Sequence, residues 1–113
     1  MLFFAKKKDY KKAIHWFSMA AEQGEPVAQY CIGIMYENGD GVEKDYKKAK
    51  EWYEKSAKQG NVEALVSLAI MYEEGKGVEP DFKKAISWYK KAAKAGYAGA
   101  LDEINRIKKI QSK

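Results

Sequence analysis

The sequence predicts an all-α solenoid of stacked helix hairpins. Three observations carry that prediction. A stretch from Ala28 to Gly60, AQYCIGIMYENGDGVEKDYKKAKEWYEKSAKQG, returns thirty-six residues later as ALVSLAIMYEEGKGVEPDFKKAISWYKKAAKAG, from Ala64 to Gly96. Half of it stands earlier as DYKKAIHWFSMAAEQG from Asp9 to Gly24, and the start of a further copy follows at Ala100. Within each copy, apolar residues recur at helical spacing between breaks that carry glycine or aspartate. A fixed period of this length marks an array whose units bury their apolar faces against one another.

The elements follow in order as about six helices. Asp9 is the expected N-cap of the first, which shows Ala13, Trp16, Phe17, Ala20 and Ala21 and stops at Gly24. Glu25-Pro26 opens the second, since proline fits a first turn; it carries Ala28, Ile32, Gly33, Met35 and Tyr36 and ends at Asn38-Gly39. Gly39-Asp40-Gly41-Val42 is a tight link whose glycines can take positive φ, with Val42 plugging the gap between helices. Asp45 caps the third helix, which presents Ala49, Trp52, Tyr53, Ser56 and Ala57 and stops at Gly60. Asn61 caps the fourth, with Ala64, Leu65, Leu68, Ala69, Met71 and Tyr72; Gly75-Lys76-Gly77-Val78 repeats the link. Asp81 caps the fifth, with Ala85, Trp88, Tyr89, Ala92 and Ala93, closed by Gly96. The last runs from about Ala98 to Ile110, where Leu101, Ile104, Ile107 and Ile110 keep a three-residue spacing.

Short links make neighbouring helices antiparallel. The reading is one domain over 1–113: a half repeat at 9–24, full repeats at about 25–60 and 61–96, and a capping helix at 97–110. Small residues such as Gly33, Ala49, Ala57, Ala69, Ala85 and Ala93 let helix axes approach. Trp16, Trp52 and Trp88 are expected to fill the volume between hairpins, each indole N–H finding an acceptor. Tyr36 and Tyr72 are expected beside the glycine links, hydrogen-bonded to backbone there. Leu2, Phe3 and Phe4 are apolar enough to cover the bare end of the array.

The totals narrow the function classes. The chain has 113 residues, 21 basic and 16 acidic, for a net charge of +5 that permits an acidic partner without requiring one. One cysteine rules out an internal disulfide, and one histidine leaves no metal-ligand spacing. No stretch approaches a membrane span. Met1-Leu2-Phe3-Phe4-Ala5 is too short for a signal core and its lysines follow it. The cytoplasm is the expected compartment; a periplasmic or secreted location would follow from a signal already removed.

The pattern resembles the Sel1-like repeats, relatives of the tetratricopeptide repeats. The residues that carry the resemblance are Ala28, Ile32-Gly33, Tyr36, Gly39, Gly41-Val42, Asp45, Lys48-Ala49, Trp52-Tyr53, Lys55-Ser56-Ala57 and Gly60. The next copy supplies Ala64, Leu68-Ala69, Tyr72, Gly75, Gly77-Val78, Asp81, Lys84-Ala85, Trp88-Tyr89, Lys91-Ala92-Ala93 and Gly96. Ala69 stands where the family has glycine, implying slightly looser packing, and Ser56 where it has alanine, a minor change. The disulfide-stapled branch of the family is not matched, because Cys31 is alone. The resemblance implies a right-handed solenoid and an adaptor role in macromolecular complexes, with no cofactor.

If tetratricopeptide geometry holds, the hollow side is lined by Val27, Tyr30, Ile34, Glu37 and Asn38, then by Glu63, Val66, Ile70, Glu73 and Glu74, with Gly99, Asp102 and Arg106 continuing the series. Val27, Tyr30 and Asn38 give way to Glu63, Val66 and Glu74 between copies, while the packing positions largely repeat. Apolar residues with a carboxylate rim suit a protein or peptide partner bearing basic groups.

The other helix type carries the lysines Lys11, Lys12, Lys47, Lys48, Lys50, Lys55, Lys58, Lys83, Lys84, Lys90, Lys91 and Lys94, so the outer side is expected to be basic. It is a weaker candidate for nucleic acid or anionic lipid, since phosphate and base clamps favour arginine and the chain has one, Arg106. A further alternative is a structural or self-associating unit: the array opens on an unpaired helix whose Ile14, Trp16 and Phe17 invite a second copy. An enzyme is not expected. His15 has Met19 one turn on rather than a carboxylate, and a Cys31–His15 pair lacks an orienting third group. The glycines at 39, 41, 75 and 77 follow helices rather than a strand, so they form no phosphate loop.

Overall fold

The structure, a computed structural model, describes residues 7–112, with side chains from Tyr10 onward. Leu2, Phe3 and Phe4 lie outside the described residues. Among those described, six helices follow one another: α1 (Lys7–Glu22), α2 (Pro26–Asn38), α3 (Tyr46–Lys58), α4 (Val62–Glu74), α5 (Phe82–Lys94) and α6 (Ala100–Gln111).

Local chemistry explains most of the boundaries. Four helices begin on a side-chain oxygen that accepts a main-chain N–H, satisfying a donor the helix leaves orphaned. Glu25 accepts from Ala28 at 2.9 Å, Asp45 from Lys48 at 3.1 Å, Asn61 from Ala64 at 2.9 Å and Asp81 from Lys84 at 3.0 Å. Asp9 is not a cap, because α1 is already under way at Lys7. The last helix starts later than expected, at Ala100, after Gly99 and without a side-chain cap. At the other ends, Gly39 and Gly75 take left-handed φ of 77° and 75° and donate to the carbonyls of Met35 and Met71.

Each helix packs chiefly on its chain neighbours, most closely α2 on α3 and α4 on α5. The result is an elongated stack of 46 × 24 × 23 Å. Its radius of gyration, 14.7 Å, exceeds the roughly 13 Å of a compact chain of this length. The core is split between junctions. Ala21, Ala28 and Ile32 hold the first; Ala49, Tyr53, Ala64, Leu68 and Met71 the second; Ala69, Ala85, Tyr89, Ile104 and Ile107 the third.

Gly33 shows why a small residue is needed where α2 meets α3. A Cβ there would stand 2.5 Å from Tyr53 Cε1. Ser56 is more than a neutral stand-in for alanine: fully buried, its hydroxyl donates to the Pro26 carbonyl at 2.7 Å, tying α3 to the start of α2. Gln59 Nε2 donates to the Gly24 carbonyl at 2.7 Å and to Gln29 Oε1 at 3.0 Å, while Gln29 Nε2 donates to the Ala21 carbonyl at 3.1 Å. That network is absent one repeat on, where the same places hold Leu65 and Ala95.

The aromatic expectations need two corrections. Trp52 packs against the first cluster and Trp88 against the other two, both half-buried. Trp16 is 66 % exposed, since no helix precedes α1 among the described residues. The deep filling comes from the next residue in each helix, Tyr53 and Tyr89, both buried. Among the described residues no indole N–H donates a hydrogen bond; lysine ammonium groups cover the rings instead, Lys55 over Trp52 and Lys91 over Trp88, each at 4.4 Å. Tyr36 and Tyr72 do anchor the links, but through their main-chain carbonyls, which accept from the N–H of Asp45 at 2.9 Å and of Asp81 at 2.8 Å.

Candidate functional site

The wall anticipated as a binding surface is built on α2, α4 and α6, one helix type repeated. Its apolar members sit at the same register one period apart: Tyr30 and Ile34 on α2, Val66 and Ile70 on α4. All four are half-buried. Tyr30 and Ile34 lean on the second core cluster, with the Tyr30 ring 5.8 Å from that of Tyr53; Val66 and Ile70 lean on the third. Each has one side anchored in packing and the other side available. Val27, in the first turn of α2, is 55 % exposed, and Glu63, in the first turn of α4, is exposed without an ion pair among the described residues. Asn38 is exposed at the end of α2, where its amide donates to Asp40 at 3.5 Å.

The carboxylates are already engaged within the chain. Glu37 accepts the Tyr53 hydroxyl at 2.6 Å and pairs with Lys76 at 3.3 Å. Lys76 also reaches Glu74 at 3.3 Å, and Glu74, followed by Glu37, holds its pKa above the usual lysine range. Glu73 receives both terminal nitrogens of Arg106, at 2.6 and 2.8 Å, while Arg106 Nε donates to Glu103 at 2.9 Å. A two-pronged guanidinium–carboxylate contact fixes orientation as well as charge. Each cation therefore bridges two carboxylates, and each triad keeps one net negative charge.

Burial shapes the titration of this wall. It raises the pKa of Tyr53 far above the ordinary phenol value, and the Glu37 carboxylate that accepts a hydrogen bond from its hydroxyl adds to the effect. Burial likewise raises Tyr30, and pushes Tyr89 up to about 12 with the help of Glu103 and Glu73.

Tyr53 and Lys76 are read from the sequence only as a packing residue and a link residue, not as members of the wall. The signal that would have found Lys76 is a separation near one period: Lys76 lies thirty-nine residues after Glu37 and Arg106 thirty-three after Glu73. That is one repeat plus or minus about one helical turn, with opposite charges.

On the lysine-bearing helices the ammonium groups also lie over aromatic rings. Lys48 lies over Tyr36 at 5.5 Å and Lys84 over Tyr72 at 5.4 Å, repeating the Lys55 and Lys91 pattern, and Lys50 pairs with Glu54 at 3.0 Å. A shallow cleft of about 610 Å³ opens between α3 and α5, floored by Ala57, Leu65 and Trp88 and rimmed by both signs of charge.

No hydrogen bond joins Cys31 to His15 among the described residues. Cys31 is half-buried, and burial raises its thiol pKa, the reverse of what activates a nucleophile. His15 stands on the exposed face of α1, edge-on to Trp16 at 5.7 Å. Among the described residues no three His, Cys, Asp or Glu side chains gather as a metal site, and no helix is long and apolar enough to cross a membrane.

Comparison with known proteins agrees with this geometry. The family model described as Sel1 repeat matches residues 2–25, 26–61 and 62–97. A solved Sel1 repeat protein from Oxalobacter formigenes is similar at 38 % identity and a TM-score of 0.80 over 86 % of this chain and 40 % of that one. A protective antigen of uropathogenic Escherichia coli with an SLR fold is similar at 35 % identity and a TM-score of 0.82, over 87 % of this chain and 21 % of that one. Cysteine-rich protein B of Helicobacter pylori is similar at 29 % identity and a TM-score of 0.77, over 81 % of this chain and 69 % of its own. No curated protein matches. The chain thus spans well under half the length of the first two solved relatives.

Proposed function

Because the chain belongs to the Sel1 repeat family, we propose that it is an adaptor holding a protein or peptide segment along the wall of α2 and α4. The observation that carries the reading is the placement of Tyr30 and Ile34 on α2 and of Val66 and Ile70 on α4, half-buried at one register in successive repeats and so only partly used in packing. Such side chains keep their shape without a ligand, so little ordering entropy opposes binding. The fitting segment presents apolar side chains to these four and basic groups to the triads of Glu37, Lys76 and Glu74 and of Glu73, Arg106 and Glu103, each one negative charge in excess. Glu63 adds a third point of attraction. A basic group must share its carboxylate with Lys76 or Arg106, so the apolar contacts supply the affinity and the charges the orientation.

The test is selection of peptides from a random library on the wild-type chain, followed by calorimetric affinities for wild type and for Tyr30→Ala, Ile34→Ala, Ile70→Ala combined. Selected peptides should lose roughly a hundredfold in affinity on the triple variant, provided its helical circular dichroism persists. Equal binding to both proteins would place the site elsewhere.

A further inference from the structure

We propose that the outer face of α1 pairs with the same face of a second copy, antiparallel about a two-fold axis. The argument starts from a difference inside the chain. Trp16, Trp52 and Trp88 occupy one position of the repeat, and three residues further along the helix stand Met19, Lys55 and Lys91. At the second and third positions the lysine ammonium covers the indole, at 4.4 Å in each case. At the first, methionine replaces the lysine, and Trp16 and Met19 are 66 % and 46 % exposed. The charge that keeps the other two indoles solvated is absent where the indole is barest. A paired Trp and Met on one helix face is apolar area with shape and polarisability suited to its own kind.

Charge selects the occupant. Lys11 and Lys12 lie near the start of this exposed face and Glu22 at its end. Eleven residues of helix, roughly 16 Å, separate Lys11 from Glu22, so the charges flank the Trp16–Met19 patch. Two such faces laid antiparallel set Lys11 and Lys12 of one copy beside Glu22 of the other, on both sides of the patch. The face is thereby complementary to itself, as a closed two-fold dimer requires.

The competing arrangement stacks copies end to end, with α6 of one serving α1 of the next as α4 serves α5. In that antiparallel register Asp102 approaches Glu22, and Lys108 and Lys109 approach Lys11 and Lys12, like charge against like at both ends. It also sets Asn105 where the inner hairpins use Gly33 and Ala69, both buried against tyrosine. A single helix face buries less than a standard interface, so the dimer is a weak one.

Sedimentation velocity of the full chain, from micromolar to millimolar concentration, reads the proposal. Wild type should show a monomer–dimer equilibrium. Met19→Lys copies the residue found at 55 and 91, leaves the fold intact, and should weaken the dimer roughly tenfold, since each substitution counts twice across the axis. Lys11→Glu with Lys12→Glu should weaken it similarly, and adding Glu22→Lys should restore it. A chain that stays monomeric at millimolar concentration overturns the proposal. So does a dimer indifferent to Met19→Lys, or one that the charge reversal fails to restore. Species growing beyond dimers and lost on Leu101→Lys would identify end-to-end stacking and overturn it equally.

Discussion

Adding one methyl group at Gly33 tests the packing that positions the wall. A Cβ built there meets Tyr53 Cε1 at 2.5 Å, Cδ1 at 2.6 Å and Cζ at 3.2 Å. The ring is buried and its hydroxyl is held by Glu37 at 2.6 Å, so it must move by about 1 Å, enough to break that hydrogen bond. Overpacking costs about 1–3 kcal/mol. Losing a hydrogen bond to a charged acceptor costs about 1.5–3 kcal/mol. The two overlap, because moving the ring relieves the clash as it breaks the bond. Replacing glycine by alanine inside a helix returns about 1 kcal/mol. The net expectation for Gly33→Ala is a loss of about 2 kcal/mol, lowering Tm by roughly 8 °C for a chain of this size. Urea unfolding with a Tyr53→Phe background separates the terms, since the penalty should shrink by the hydrogen-bond share there. A Gly33→Ala chain about 1 kcal/mol more stable than wild type, as helix propensity alone demands, would refute the reasoning.

Two further outcomes follow from the wall. Tyr30, Tyr53 and Tyr89 have folded-state pKa values raised above their unfolded values near 10, so the unfolded state loses those protons first. The stability they contribute is intact below pH 10 and is lost as pH rises from there through the folded value, about 12 for Tyr89. Absorbance at the phenolate band should therefore show Tyr30, Tyr53 and Tyr89 titrating late, together with an alkaline unfolding step, both abolished in denaturant. Arg106 is 46 % exposed, so its ion pairs are heavily screened, and Arg106→Ala should cost only about 1 kcal/mol of stability, less in high salt. The same change frees Glu73 and Glu103 and should tighten a basic peptide selected on the wall, measured by calorimetry at low salt.

The fold was legible because its determinants are local. Asp45, Asn61 and Asp81 stand one residue before helices they cap, and Gly39 and Gly75 stand where a left-handed turn is needed. Asp9 misled because it shares their register while α1 begins before it. Trp16 misled for the opposite reason: the residue matches Trp52 and Trp88, but their burial depends on a preceding helix, not on the residue itself. The register of the candidate wall was legible, since positions one period apart on one helix type can be read off the repeat. The wall's electrostatics were not, because the partners of Glu37 and Glu73 lie a full period away, and a composition of both signs gives no hint of which pair meets.

Comparison of the repeats as natural variants of one another shows that the packing and the charges of the wall are linked. Where α2 has Gly33, the tyrosine of α3 sits close enough to donate to Glu37. Where α4 has Ala69, Tyr89 makes no side-chain hydrogen bond among the described residues, and Glu73, the counterpart of Glu37, is taken by Arg106 instead. In the end helices the counterparts are Asn105 on α6, Phe17 on α1 and Lys109 on α6, so the phenol and the carboxylate are absent together. A half-buried carboxylate needs a donor, and each repeat supplies one, Tyr53 to Glu37 and Arg106 to Glu73. A substitution at 33 therefore reaches the Glu37 carboxylate through Tyr53, although Gly33 itself is buried.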